Sequence, residues 1–239
     1  MNPSTLLHGI KLIAFDADDT LWPCQRHYND IISRYATLLS PWISAEEAHT
    51  TLYHTETQRL PLTGYGVKAF TLSLIENALT ATHHRVTPDV LEAILHLGYE
   101  LMEMPITPNP DIRPTLTSLR SQGYQLILLT KGELLDQQRK IDRSGLAPLF
   151  HATHIVTHKD ADTYRHIANI YHIPPRQALM VGDSLKSDIL PANEAGWHTA
   201  YLPNDQAWQH EQATHIPPQC LVLAAIDRLV SGAQRSQTV

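Results

Sequence analysis

Five short apolar runs, separated by longer segments, constrain the fold of this chain more than any other feature. They are Leu12 to Phe15, Tyr124 to Thr130, Ile155 to Thr157, Ala178 to Asp183 and Thr199 to Leu202. A continuous apolar run of this length is typical of a strand buried on both faces. Helical periodicity fills the segments between the runs in the second half, for example from Arg113 to Gly123. Strands that alternate with helices predict a parallel sheet with helices on both faces.

Residues from about 22 to 110 follow a different pattern, with four helical segments and no convincing strand. One of them begins with a capping box formed by Ser44 and Glu47, and another begins at Thr87-Pro88. A chain of 239 residues is long for one average domain and short for two independent ones. The sequence therefore predicts one α/β domain that carries an inserted helical unit.

The charge and cysteine content exclude several classes of function. Lys plus Arg total 18 and Asp plus Glu total 24, and this formal charge of -6 with no basic stripe argues against a nucleic-acid partner. Cys24 and Cys220 are far apart, which predicts a reduced compartment and, by default, the cytoplasm. We find neither an export signal nor about 18 consecutive apolar residues, so no membrane association is expected.

Acidic residues follow two of the predicted strands directly. Asp16, Asp18 and Asp19 come after the first run, and Asp183 ends the fourth, with Asp188 five positions later. Ligands of parallel sheets bind at the carboxyl ends of the strands, where these groups would meet. Neighbouring carboxylates disfavour joint ionisation, so such a cluster either holds a hard metal ion or keeps one member protonated. Aspartate is also common in turns, and each acidic motif alone has this simpler interpretation.

A third polar element, Thr130-Lys131-Gly132, stands at the end of the second run, where a hydroxyl and free backbone N–H groups meet a helix start. Such places bind anions readily, although Thr130 as a plain helix cap explains the same residues.

Four segments together resemble the motifs of the haloacid dehalogenase superfamily: LIAFDADDTLW, LLTKG, Lys159 in THKDADTY, and GDSLKSDILPANEAG. Their order and their sheet positions match those of the superfamily. The resemblance implies a Rossmann-like, doubly wound parallel core formed by residues 1–21 and 111–239. It also implies an all-helical cap domain, inserted as residues 22–110, where the four helical patterns fall.

The resemblance implies a role for each matching residue. Asp16 resembles the nucleophile, and Asp18 resembles the general acid and base of the phosphatase branch. Thr130 and Lys159 would hold the transferring phosphoryl group. Lys131 and Lys186 are alternatives to Lys159 as the cation that binds phosphate. Lys131 and Gly132 would complete the phosphate-binding loop. The implied Mg²⁺ ligands are Asp16, the backbone carbonyl of Asp18 and Asp183. Asp188 would bind the ion directly or through water, or it would anchor a neighbouring group of the site.

Three aromatic or basic residues outside these assignments keep two interpretations each. In the loop LPLTGYGVKAF, Tyr65 and Lys68 would select the substrate by resemblance, or they belong to a plain turn between helices. Trp22 either lies at the mouth of the site or belongs to the core.

The function that follows is a Mg²⁺-dependent phosphatase that hydrolyses a small phosphorylated metabolite through a phospho-aspartyl intermediate on Asp16. We expect a monomer or a homodimer. A phosphomutase of the same fold shares all four motifs and is the first alternative. A haloacid dehalogenase is disfavoured because that branch lacks a carboxyl two residues after its nucleophile, whereas this chain has Asp18. A phosphorylated receiver-like module, which would not be an enzyme, is disfavoured by the inserted helical unit.

Overall fold

The computed structural model describes residues 6–206, 208–211 and 213–231. These residues divide into two compact units. A helical unit consists of Arg26–Pro105 together with Gly132–Asp136, and the rest of the described chain forms a unit built on a sheet. Across the described residues, no helix combines the length and the apolar character that crossing a membrane requires.

The helical unit contains a helix at each of the four segments where the sequence predicts one. They are α1 (Gln25–Leu39, with Gln25 itself in the sheet unit), α2 (Ala45–Thr63), α3 (Val67–Ala81) and α4 (Pro88–Met102). The Ser44 hydroxyl caps α2 by accepting a hydrogen bond from the backbone N–H of Glu47, as the capping box predicts. Inside the unit, the buried Tyr35 hydroxyl lies 2.6 Å from the Asn77 side-chain oxygen and links α1 to α3.

The sheet unit contains six parallel strands in the order β3-β2-β1-β4-β5-β6. They are β1 (Leu12–Phe15), β2 (Gln125–Lys131), β3 (Ala152–Val156), β4 (Ala178–Gly182), β5 (His198–Tyr201) and β6 (Leu221–Val222). This is the strand order of a Rossmann-like, doubly wound sheet, so the predicted fold class is confirmed. The sixth strand was not predicted, because two residues give no readable periodicity.

Helices cover both faces of the sheet. They are α5 (Ile112–Ser121), α6 (Leu134–Ser144, with its first three residues in the helical unit), α7 (Ala161–Ile170), α8 (Leu190–Glu194) and α9 (Arg228–Ser231). Successive residues of a strand point to opposite faces. Accordingly Phe15 packs in one apolar cluster with Leu116 of α5, and Ala14 packs in another with Ile167 of α7. The central strands β1 and β4 therefore carry no polar side chain, and the polar groups near them come from the residues that follow each strand.

The burial of β2 between the two helical layers gives the first test. Ile127 is fully buried, whereas Ile170 of α7 is 46% exposed. We expect Ile127→Ala to lower the free energy of unfolding of the sheet unit by about 2–5 kcal/mol, because it removes buried methyl groups and leaves a cavity. The matched Ile170→Ala should change it by only about 0.5 kcal/mol. Denaturant titration measures both values, and equal costs would contradict the buried placement of β2.

Candidate active site

The strand order reverses between β1 and β4, and the acidic residues lie at this point. Asp16 directly follows β1 and Asp183 directly follows β4. The backbone N–H of Asp16 donates to the Val181 carbonyl at 2.9 Å, which continues the ladder one step past the strand. Doubly wound sheets bind their ligands in the crevice at this reversal. One carboxylate oxygen each from Asp16, Asp183 and Asp188 lie within 4.8 Å of one another.

A buried lysine faces this cluster. The Lys159 ammonium donates to Asp16 Oδ1 at 2.5 Å and to Asp188 Oδ1 at 2.7 Å, and its side chain is only 2% exposed. Burial favours the neutral amine, but the charges of Asp16 and Asp188 outweigh it and hold the pKa of Lys159 above its usual range. Lys159 is therefore a fixed positive charge beside the Asp16 carboxylate.

Asp188 is completely buried and has both carboxylate oxygens engaged. Oδ1 accepts from Lys159, and Oδ2 accepts from the backbone N–H of Ser184 at 3.0 Å. Burial raises the pKa of Asp188 to about 7, against the opposing charge of Lys159. The absence of a side chain at Gly182 makes room for this arrangement, because a Cβ there would lie 2.7 Å from the Asp188 Cβ.

Asp183 is held by two polar neighbours. Its Oδ2 accepts from the Asn204 amide at 3.1 Å, and its backbone N–H donates to the Thr20 hydroxyl at 3.1 Å. The Thr20 oxygen lies 3.2 Å from Asp16 Oδ2 and 3.3 Å from Asp183 Oδ1, and it donates its hydrogen to one of them. Burial, and then the charge of Asp16, raise the pKa of Asp183 well above its usual range.

The charge balance and the donor set of this cluster suit a divalent cation. Three carboxylates meet there, and the Lys159 ammonium can neutralise one of their charges. Grouped carboxylate oxygens are the ligands that Mg²⁺ and Ca²⁺ prefer, and a bound ion would remove the mutual repulsion that raises the pKa of Asp183.

Asp18 and Asp19 follow Asp16 closely in sequence but have different partners. Asp18 Oδ1 accepts from the indole N–H of Trp22 at 2.9 Å, and Oδ2 accepts from the Lys140 ammonium at 2.5 Å. Burial raises the pKa of Asp18, but the charge and the hydrogen bond of Lys140 outweigh it, so the net shift is downward. Trp22 is fully buried in the core, which decides between the two interpretations of this residue.

The Asp19 carboxylate accepts from the backbone N–H groups of Cys24, at 2.8 Å, and Gln25, at 2.9 Å. Gln25 begins α1, so Asp19 holds the chain at the entrance to this helix. Its φ of 63° is in the left-handed region, which aspartate tolerates better than most residues. Burial raises the pKa of Asp19 to about 6. The hydrogen bonds observed for the Asp19 carboxylate are with backbone amides outside the carboxylate cluster.

The residues at the end of β2 have separate partners. The buried Thr130 hydroxyl accepts from the Gln137 side-chain amide at 2.6 Å, which leaves its own hydrogen able to donate to an anion. The Lys131 ammonium lies 2.5 Å from Glu211 and 2.8 Å from the Ser187 hydroxyl.

Lys186 was the other alternative cation, and its exposed side chain donates to the His210 carbonyl at 3.0 Å. Of the three lysines considered from the sequence, Lys159 is therefore the one for which contact with the Asp16 carboxylate is observed. This geometry favours Lys159 as the cation beside the candidate nucleophile.

Gly132, Tyr65 and Lys68 belong to the helical unit. Lys68 pairs with Glu133 at 3.2 Å, in a bridge that is largely open to solvent. Gly132 follows β2 with a φ of 158°, and Tyr65 is half-buried. The role of these three residues in substrate binding stays a prediction.

Several residues that contact the site were not predicted from the sequence. They are Thr20, Gln137, Lys140, Asn204 and Glu211. Thr20 lies inside the first motif and its hydroxyl was a usable signal. The other four are polar residues in helical or irregular segments far along the chain from Asp16, and one sequence gives no sign of their partners.

Comparisons with known proteins agree with this fold. A family model, haloacid dehalogenase-like hydrolase, matches residues 10–196. The chain is 28% identical to a glyceraldehyde 3-phosphate phosphatase of Methanopyrus kandleri over 81% of its own length and 84% of the relative. It is 31% identical to an enolase-phosphatase of Erwinia tasmaniensis, but there the alignment covers 44% of the chain and only 49% of the relative.

Among solved structures, the fold is similar to that of a haloacid dehalogenase-like family hydrolase from Xanthomonas campestris. The TM-score is 0.82 at 28% identity, over 96% of this chain and 95% of the other. The chain belongs to the haloacid dehalogenase-like hydrolase family, and it is therefore a hydrolase. The predicted family and the predicted enzyme class are confirmed.

The contact between Gly182 and Asp188 gives the second test. We expect Gly182→Ala to destabilise the sheet unit by about 1–3 kcal/mol, because the added methyl group overlaps buried atoms of Asp188. In an Asp188→Ala background the same change should cost less, since the overlapping carboxyl group is gone. A double-mutant cycle by denaturant titration measures the difference. Equal costs in both backgrounds would show that Asp188 does not pack against Gly182.

Proposed function

We propose that this chain is a Mg²⁺-dependent phosphatase that hydrolyses a small phosphate monoester through a phospho-aspartyl intermediate on Asp16. One observation carries the proposal: the Asp16 carboxylate lies 2.5 Å from a buried ammonium, and two further carboxylates lie within 4.8 Å, at the reversal point of the sheet. A phosphoryl group needs such a nucleophile together with positive charge for its oxygens.

The names of two similar proteins support phosphate ester hydrolysis over other reactions of the family. Both the glyceraldehyde 3-phosphate phosphatase and the enolase-phosphatase are named as phosphatases. The carboxyl of Asp18 supports the same choice against a haloacid dehalogenase, which would have no need of an acid for its leaving group.

The residues present fit a magnesium ion. Asp16, Asp183 and the backbone carbonyl of Asp18 would hold it directly. Asp188 already accepts from Lys159 and from Ser184, so it would serve as the anchor of Lys159 or contact the ion through water. When bound, the ion supplies charge neutralisation for the phosphoryl oxygens.

In the first half-reaction, an Asp16 oxygen forms a bond to phosphorus while the bond from phosphorus to the leaving oxygen breaks. The Lys159 ammonium and the Thr130 hydroxyl bind the other phosphoryl oxygens and offset their growing charge. The Lys159 charge also offsets the repulsion between the anionic substrate and the Asp16 carboxylate. For this step Asp18 must first take up a proton against the charge of Lys140, which favours its carboxylate. It then gives this proton to the leaving alkoxide, which departs as an alcohol.

In the second half-reaction, the Asp18 carboxylate takes a proton from water as the water oxygen attacks phosphorus. The bond between phosphorus and the Asp16 oxygen breaks, and inorganic phosphate and the free Asp16 carboxylate are formed. Asp18 ends the cycle protonated, as it began. Selection of the substrate by Tyr65 and Lys68, and a role of the helical unit as a cap, stay predictions.

Substitution of the two catalytic aspartates gives the third test. Asp16→Asn should abolish Mg²⁺-dependent release of inorganic phosphate from a phosphometabolite panel, because an amide cannot form the intermediate. Asp18→Asn should lower the turnover number by about 10²–10⁴-fold, the usual contribution of a positioned acid and base. Release of inorganic phosphate by the wild type also separates a phosphatase from a phosphomutase. Near-wild-type turnover of Asp16→Asn would exclude the covalent mechanism.

Metal binding gives the fourth test and needs no substrate. Mg²⁺ at 100 times its dissociation constant should stabilise the wild type by about 2.7 kcal/mol, seen as a rise in Tm. Asp183→Asn should keep or raise the Tm without metal, since it removes a buried like charge, and it should lose most of the rise with Mg²⁺. An identical rise in both proteins would place the ion away from Asp183.

A further inference from the structure

Two side chains to which the proposed mechanism gives no role, Lys140 and Trp22, donate hydrogen bonds to the Asp18 carboxylate. Lys140 comes from the middle of α6, 122 residues away along the chain, and its side chain is 3% exposed. Trp22 is fully buried, and its indole N–H reaches the other Asp18 oxygen. Burying an ammonium is costly unless a carboxylate partner and hydrogen bonds compensate it. The Asp18 carboxylate therefore fixes the position of the Lys140 ammonium, and the Lys140 ammonium fixes the position of the Asp18 carboxylate.

The same face of α6 contacts a second functional group. Gln137 and Lys140 are three residues apart, so their side chains lie on one side of the helix. Gln137 donates to the Thr130 hydroxyl, and Lys140 donates to Asp18. One turn of a single helix thus supports both the hydroxyl that would bind phosphate and the carboxyl that would exchange protons.

We propose that Lys140, assisted by Trp22, is a positioning residue that fixes the Asp18 carboxyl for both half-reactions. This inference rests on the proposed phosphatase mechanism and assigns Lys140 no contact with the substrate. Lys140 holds Asp18 Oδ2 and Trp22 holds Oδ1, so the carboxyl group keeps one orientation while it exchanges a proton.

The physical reason is the reach of a proton transfer. The acid must be within hydrogen-bond distance of the leaving oxygen, and then of the attacking water, and a displacement of about 1 Å can cost about 10²-fold in rate. The Asp18 side chain has two rotatable bonds, so its carboxyl group stays within this distance only if its oxygens have fixed hydrogen-bond partners. A neutral, flexible side chain at position 140 would leave Oδ2 without its partner.

The experiment uses p-nitrophenyl phosphate, whose leaving group departs without a proton. With this substrate, formation of the phosphoenzyme does not need Asp18, whereas its hydrolysis does. We expect Lys140→Met to lower kcat by about 10- to 100-fold and to accumulate acid-stable phosphoenzyme after a burst of p-nitrophenol. Rapid acid quench of reactions with p-nitrophenyl phosphate that is labelled in its phosphoryl group measures the amount of phosphoenzyme. General damage to the fold would lower the active fraction and would not make the phosphoenzyme accumulate.

Three further variants separate the loss of the Lys140 hydrogen bond from other effects of the substitution. Lys140→Arg retains a cation and should restore much of the hydrolysis rate. Trp22→Phe removes the indole N–H, keeps an aromatic ring in the core, and should accumulate phosphoenzyme to a smaller extent. Arg139→Met removes an exposed cation from the neighbouring position of α6 and should behave as the wild type.

The outcomes separate this inference from the proposed function. If the wild type releases phosphate with Mg²⁺, and Lys140→Met neither accumulates phosphoenzyme nor loses rate relative to Arg139→Met, the positioning role is wrong and the phosphatase stands. A Lys140→Met that loses rate without accumulating phosphoenzyme also overturns the positioning role. If the wild type releases no phosphate, or if Asp16→Asn remains active, the proposed function itself fails.

Discussion

The pairing of Lys159 with Asp16 and Asp188 is the interaction on which the rest of the site depends. An ammonium with 2% of its side chain exposed persists only because two carboxylates compensate its burial. Asp188 can accept from it because Gly182 leaves room for the Asp188 carboxyl against β4. The result is a positive charge fixed beside Asp16, at the place where a doubly wound sheet binds its ligands.

Much of the fold could be predicted because its signals are local. Continuous apolar runs gave β1, β2 and β4 to within one or two residues, and the capping box at Ser44 gave the start of α2. The strand β3 was predicted three residues late, since HATHIV mixes polar and apolar residues. The two-residue strand β6 was missed, because its pairing with β5 is a tertiary contact that leaves no pattern in the sequence.

The candidate site divides in the same way. The meeting of Asp16, Asp183 and Asp188 could be expected, since all three follow strands whose carboxyl ends share one edge of the sheet. The partners of Asp18 could not, because Lys140 is one polar residue on a helix with many, and only the packing of α6 reveals which side chain turns inward. The three neighbouring aspartates of the first motif also have different partners. Asp16 faces Lys159, Asp18 faces Lys140, and Asp19 holds the start of α1.

Peptide mapping of the enzyme quenched in acid during turnover tests the central claim most directly. If the site works as proposed, the mass of one phosphoryl group is found on the peptide that contains Asp16, and fragmentation places it on that residue. The label should disappear when the substrate is exhausted. Phosphoryl mass on another residue, or turnover with no covalent label under conditions where hydrolysis of the intermediate is slow, would contradict the account.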